Sequence, residues 1–188
     1  MDTTDDKYWI AQCQSGDENG YNVLYNRYAK PAYNAIFRLV RDAGEAEDLL
    51  QETFITVFSE LDKLAQVDQV GAWIRRIAVN LSISQMRRKK IRFEALEEGD
   101  LTRNDLKRYA QNEEDEAMLL DCRIEELQRT IESLPEVYRA IVILHAFEGM
   151  LHKEIGQRLG LSELAVRSQY HRAKKMILKQ LSKYPYEA

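Results

Sequence analysis

Arg167, Ser168, His171, Arg172 and Lys175 recur at helical spacing near the end of this 188-residue chain, and no acidic residue falls between Leu164 and Tyr186. Val166, Tyr170, Ala173 and Ile177 occupy the opposite positions, at i, i+4, i+7 and i+11. Guanidinium groups pair with the acceptors on a guanine edge and ammonium groups meet phosphates, so such a helix suits a DNA major groove. A second set lies in the first half. Trp73 and Arg76 are followed by Asn80, Ser84, Arg87 and Arg88, in a stretch from Gly71 to Phe93 with seven bases and no acid. Arginines interleaved with an amide and a hydroxyl form a track for phosphates and exposed base edges. Taken alone, this second helix reads equally well as a solvated surface. A third set is acidic: Glu45, Asp48, Gln51 and Glu52 share one side of a helix near its start. Taken alone, it reads as ordinary compensation of the helix dipole.

Covalent, redox and metal chemistry find no support. Cys13 and Cys122 stand apart, and with His145, His152 and His171 they never approach zinc-ligand spacing. The cysteines read as small buried apolar groups of a reducing compartment. There is no phosphate-cradling glycine loop and no clustered carboxylate pair, so neither an enzyme nor a cofactor is expected. No apolar run nears the roughly 20 residues of a membrane span, and the acidic N-terminus is no signal peptide. The net charge of −4 alone says nothing for nucleic acid. Its distribution does, because two acid-free basic blocks flank an acidic stretch.

Eight Gly and three Pro against abundant Ala, Leu, Glu, Gln, Lys and Arg favour long helices, so the expected fold is all-α. The spacing predicts a short helix over Asp5–Gln14. A second starts at Asp17, with Tyr21, Leu24, Tyr25, Tyr28, Ala32, Ile36, Leu39 and Val40 on one stripe and a kink at Pro31. A third carries Ala46, Leu49, Leu50, Phe54, Val57, Phe58 and Leu61. After a polar loop from Lys63 to Gln69, a fourth buries Val70, Trp73, Ile74, Ile77, Ala78 and Leu81. Four such helices make a small bundle. From Arg92 to Glu116 the stripe vanishes, and Glu94–Glu116 holds nine acids against three bases. That composition cannot offset its ordering entropy and reads as a linker.

Periodicity resumes with Leu120, Ile124, Leu127 and Ile131. Pro135 suits the first turn of a helix that buries Val137, Ile141, Leu144 and Phe147 and ends at Gly149. His152–Leu159, a turn at Gly160–Ser162 and a long helix from Glu163 to Ser182 then have helix-turn-helix spacing. Ile155, Leu159, Leu161 and Val166 supply its core. Gly156 stands where two backbones approach, Gly160 suits a left-handed turn, and Ser162 can cap the second helix.

In this order and at these distances the stretches resemble an extracytoplasmic-function sigma factor, the compact two-domain branch of the sigma-70 family. Asp17-Glu18, Ala46-Glu47-Asp48-Leu49-Leu50-Gln51-Glu52-Thr53-Phe54 and Trp73-Ile74-Arg75-Arg76-Ile77-Ala78-Val79-Asn80 are similar to region 2. Leu134-Pro135-Glu136, Glu148-Gly149-Met150-Leu151-His152-Lys153-Glu154-Ile155 and Tyr170-His171-Arg172-Ala173-Lys174-Lys175 are similar to region 4. The resemblance implies a region 2 domain over 1–91, a linker over 92–116 and a region 4 domain over 117–188. Asp48, Gln51, Glu52, Phe54 and Phe58 would dock on the largest-subunit coiled coil of core RNA polymerase, whose flap is a further contact. Leu64, Trp73, Arg76, Asn80, Ser84, Arg87 and Arg88 would serve the melted −10 element of promoter DNA. Arg167, Ser168, His171, Arg172 and Lys175 would read the −35 element. The resemblance also implies an anti-sigma partner, membrane-bound in many cases, and a cytoplasmic location. Leu164-Ala165-Val166 stands where many members have Gly-Thr-Val, and Leu64 where an aromatic residue is often found. A stand-alone regulator would share the helix-turn-helix but need neither the acidic face nor the second basic helix.

Overall fold

The structure is a computed structural model describing residues 3–89 and 124–182. The expected linker over 92–116, together with Leu120, Cys122 and Lys183, lies outside the described residues. Within the described residues all regular structure is helical. The chain divides into two compact units, Met1–Ile91 and Arg92–Ala188.

In the first unit α1 (Thr3–Gln14) stops at Gly16, which takes the left-handed φ of 85° that a non-glycine residue rarely adopts. α2 (Glu18–Val40) starts on Asp17, whose carboxylate accepts the Asn19 N–H at 3.0 Å. α3 (Ala43–Ser59) starts on Asp42, which accepts the Glu45 N–H at 2.8 Å. Both caps satisfy first-turn donors that the helix itself cannot. α2 runs on through Pro31, which is exposed and lacks the N–H that would meet the Arg27 carbonyl one turn earlier. Leu61–Leu64 forms a separate single turn, α4, where the periodicity had Leu61 closing the third helix and a loop beginning at Lys63. α5 (Val70–Arg88) completes the unit.

Leu24, Ile36, Val57, Leu64, Ile74 and Ala78 are fully buried where α2, α3, α4 and α5 converge. Tyr25, expected on the buried stripe, is exposed along one edge and packs its ring 4.7 Å from Phe54. α1 crosses α2 at Gly20, where an added Cβ would stand 2.9 Å from the Cys13 nitrogen. The crossing is pinned by charge as well. Arg27 pairs with Asp5 and, at 2.6 Å, with the buried Asp6, which also accepts the Tyr28 hydroxyl at 2.5 Å. A buried carboxylate is tolerable only with such partners. Burial, with the Asp6 carboxylate at its hydroxyl, pushes the Tyr28 phenol well above its usual range.

The second unit begins with α6 (Ile124–Ser133) and α7 (Glu136–Val142), which widens into a π turn over Ile143–Phe147. Ala140 through Leu144 are buried in succession, so α7 is enclosed on all sides rather than amphipathic. The widened turn closes through the Glu148 N–H to the Ile143 carbonyl at 3.1 Å and the Met150 N–H to the Leu144 carbonyl at 3.0 Å. Phe147, expected in the core, is left 39% exposed past the end of this turn. α8 (His152–Leu159) and α9 (Glu163–Leu181) follow as a helix-turn-helix pair.

Candidate nucleic-acid and partner interfaces

The α8–α9 turn is built as its residues require. Gly160 adopts φ 74°, and the Leu161 N–H returns to the Gly156 carbonyl at 2.9 Å. A Cβ on Gly156 would stand 2.7 Å from the Leu161 carbonyl oxygen, a distance real Cβ atoms do not reach. Ser162 Oγ accepts the Ala165 N–H at 3.1 Å and starts α9. Ile155, Leu159 and Val166 close the small core.

α9 buries Val166, Gln169, Ala173, Ile177 and Leu181 and leaves Arg167, Lys175 and Lys179 exposed on other sides. The Arg167 guanidinium reaches back to Glu163 Oε1 at 2.7 Å. His171 and Arg172 are half-buried. Ser168 corrects the sequence expectation: it is only 7% exposed and offers no surface to a groove.

Three rings gather behind the turn. The His145 and His152 imidazoles stack with centroids 4.1 Å apart, and Tyr170, on α9, meets His145 edge-on at 4.7 Å. His145 Nδ1 donates to the Met150 carbonyl at 2.8 Å. Burial, with His145 and Arg167 close by, pushes His152 down to about 4. Its Nε2 is buried without a partner among the described residues. The stack thus ties the π turn and the start of α8 to α9. Sequence reading left these histidines without a role.

In the first unit α5 carries no acid, and Arg76, Ser84, Arg87 and Arg88 all lie exposed along it. Asn80 is half-buried with its Oδ1 unpartnered among the described residues, while Trp73 packs one side on the core. Leu64 does not join this track. It is 0% exposed at the centre of the bundle, because α4 folds its apolar side inward, and it is closed to a base.

The acidic face of α3 also differs from expectation. Asp48, Gln51 and Glu52 are exposed, but Phe54 is buried and Phe58 is largely covered: Phe54 packs at a tilt against Tyr25 and Phe58, and Phe58 meets Tyr21 edge-on. In this structure Phe54 fills the core of the bundle. The apolar member of the exposed face is Ile55, 70% exposed. Its spacing from Asp48 (i+7), Gln51 (i+4) and Glu52 (i+3) was the available signal. Glu45, on the same helix, is turned away and pairs with Lys89 at 2.6 Å, bracing the last turn of α5.

Among the described residues no group of three His, Cys, Asp or Glu side chains is placed to hold a metal ion, and no helix is long and apolar enough to cross a membrane. Residues 24–91 match the family model for sigma-70 region 2, and residues 124–177 match that for sigma-70, region 4. The chain is 35% identical over 170 residues to the ECF RNA polymerase sigma factor SigE of Mycolicibacterium smegmatis, covering 89% of this chain and 63% of that one. It is 29% identical over 177 residues to SigW of Bacillus subtilis, covering 92% of this chain and 94% of the relative. Among solved structures, CnrH in complex with the cytosolic domain of CnrY aligns with 98% of the chain and 100% of its own length, at 22% identity and a TM-score of 0.49. Both halves of the family pattern fall in order on one chain, and the protein belongs to the sigma-70 family of RNA polymerase sigma factors, in its extracytoplasmic-function branch.

Proposed function

We propose that this chain binds core RNA polymerase in the cytoplasm and directs it to promoters, its 1–91 unit serving the −10 element and its region 4 unit the −35 element. The observation that carries the reading is that each unit turns the cations of one helix outward, Arg76, Arg87 and Arg88 on α5 and Arg167, Lys175 and Lys179 on α9. Asp48, Gln51, Glu52 and Ile55 form the docking face for polymerase. No catalysis is required of the chain. A surface that holds unstacked bases shifts the duplex toward the open form, and apolar and amide contacts offset the few kcal/mol of unstacking. Two weak contacts on one tethered particle reinforce each other through effective concentration. An anti-sigma partner, implied by the family resemblance, would cover the same faces.

Run-off transcription with purified core polymerase tests the reading. The wild type is expected to initiate from a subset of genomic promoters, and Asp48→Arg with Glu52→Arg to abolish both initiation and polymerase pull-down. Unchanged capture of polymerase by the reversed face would sink it.

A further inference from the structure

The first turn of α9 contains a side chain that the helix-turn-helix core does not use. Leu164 is 46% exposed, whereas Leu161 and Ala165 on either side are half-buried and fill the turn. At 3.6 residues per turn, Leu164 lies about 160° round the helix from buried Val166 and about 20° from both His171 and Lys175. It is therefore an apolar group set among the cationic and polar residues of the outward side, in the turn where recognition helices meet base edges. Arg167 lies about 60° away on the same side, and its pairing with Glu163 draws the guanidinium back toward this turn.

We infer that Leu164 is a specificity-determining residue that reads the C5 methyl group of a thymine in the −35 element. This rests on the proposed role of α9 as the −35 reader and adds to it one defined contact. An aliphatic side chain gains nothing from a phosphate. In the major groove the thymine methyl is the apolar feature a base pair presents, and it separates T·A from every other pair. Arg167, beside it, is suited to the acceptors of a guanine next to that thymine. A lone exposed leucine is unremarkable on a general surface. On the side of a helix whose other members are cations and hydrogen-bonding groups, it has a specific complement.

The test uses the full chain with core polymerase on a promoter obtained from the run-off library. Each thymine of the −35 element is replaced singly by deoxyuridine, which deletes only the methyl group. At one position the wild type is expected to lose about three- to fivefold in initiation, the scale of burying one methyl group. Leu164→Ala, at an exposed site where alanine favours the helix, is expected to keep the wild-type melting temperature. It should start from that lowered level and be indifferent to deoxyuridine at the same position. Equal sensitivity of the two proteins, insensitivity of both, or a −35 element without thymine overturns the inference while leaving the −35 reading intact. Loss of all −35 sequence preference in the wild type overturns both.

Discussion

The imidazoles of His145 and His152 lie 4.1 Å apart with their planes 25° from parallel, and burial beside that ring disfavours a proton on His152. His152 faces His145 on the π turn, and Tyr170, Arg167 and Glu163 on α9; Glu163 alone favours its charged form. Its folded value of about 4 lies below the ordinary 6.5, so the unfolded chain takes up the proton first as pH falls. The stability this group contributes is complete above about pH 6.5 and is lost progressively toward pH 4. With the screening of a partly solvated ring discounted, the loss is about 1–2 kcal/mol. Thermal melts from pH 7.5 to 4.5 should show it as a falling midpoint for the second unit. His152→Phe keeps a ring in the stack and should remove that part of the slope; an unchanged slope would show that other groups cause it.

Gly156→Ala sets two effects against each other. Alanine in mid-helix gains about 1 kcal/mol over glycine. Its Cβ, however, would press on the Leu161 carbonyl from 2.7 Å, and the same turn supplies the N–H bonded to Gly156 at 2.9 Å. Backbone cannot swing away as a side chain does, so the clash should win, with a net loss of about 1–3 kcal/mol. Urea unfolding followed in the second unit measures it, and a stabilised variant would contradict the geometry.

Much of this was readable because the determinants are local. Asp17, Ser162 and Gly160 do what their side chains or lack of one permit, and the apolar stripes of α2, α3, α5 and α9 emerge at 3.6-residue spacing. The misses share a cause. Leu64 and Phe54 were given partners by position in a motif and Ser168 by helical spacing, but exposure depends on what packs from elsewhere in the fold. At Phe54 the periodicity had already placed the ring on the buried stripe and only the motif made it a contact; the exposed apolar residue beside it is Ile55. The π turn was invisible for a related reason: its residues are helix formers, and only the surrounding packing and the His145–Met150 bond mark the widening.

Phe54 and Ile55 are adjacent in the chain and should behave oppositely. Ile55→Asp removes an exposed apolar group from the face with Asp48 and Glu52, so the fold should hold while affinity for core polymerase falls about tenfold. Phe54→Ala empties a buried site beside Tyr25 and Phe58 and should cost about 3–5 kcal/mol of stability. Polymerase titrations scaled to the folded fraction, alongside melting curves, separate the two. If Ile55→Asp bound polymerase as the wild type does, α3 would not dock by this face.

Leu64→Ala should act on the same axis as Phe54→Ala. The side chain is wholly enclosed by the bundle, so truncation costs about 2–5 kcal/mol, the exact loss set by how far the surrounding helices relax into the gap. Its preference among −10 sequences, measured by run-off at a temperature where the variant remains folded, should match the wild type, because no base can reach the residue. Arg76→Ala, at an exposed position on α5, should show the reverse: a melting curve close to wild type and a weakened hold on the −10 region that falls off less steeply with salt, because one phosphate contact is lost. A changed −10 preference in folded Leu64→Ala would mean that α4 opens when DNA is bound, and that the enclosed leucine becomes a contact only in the open complex.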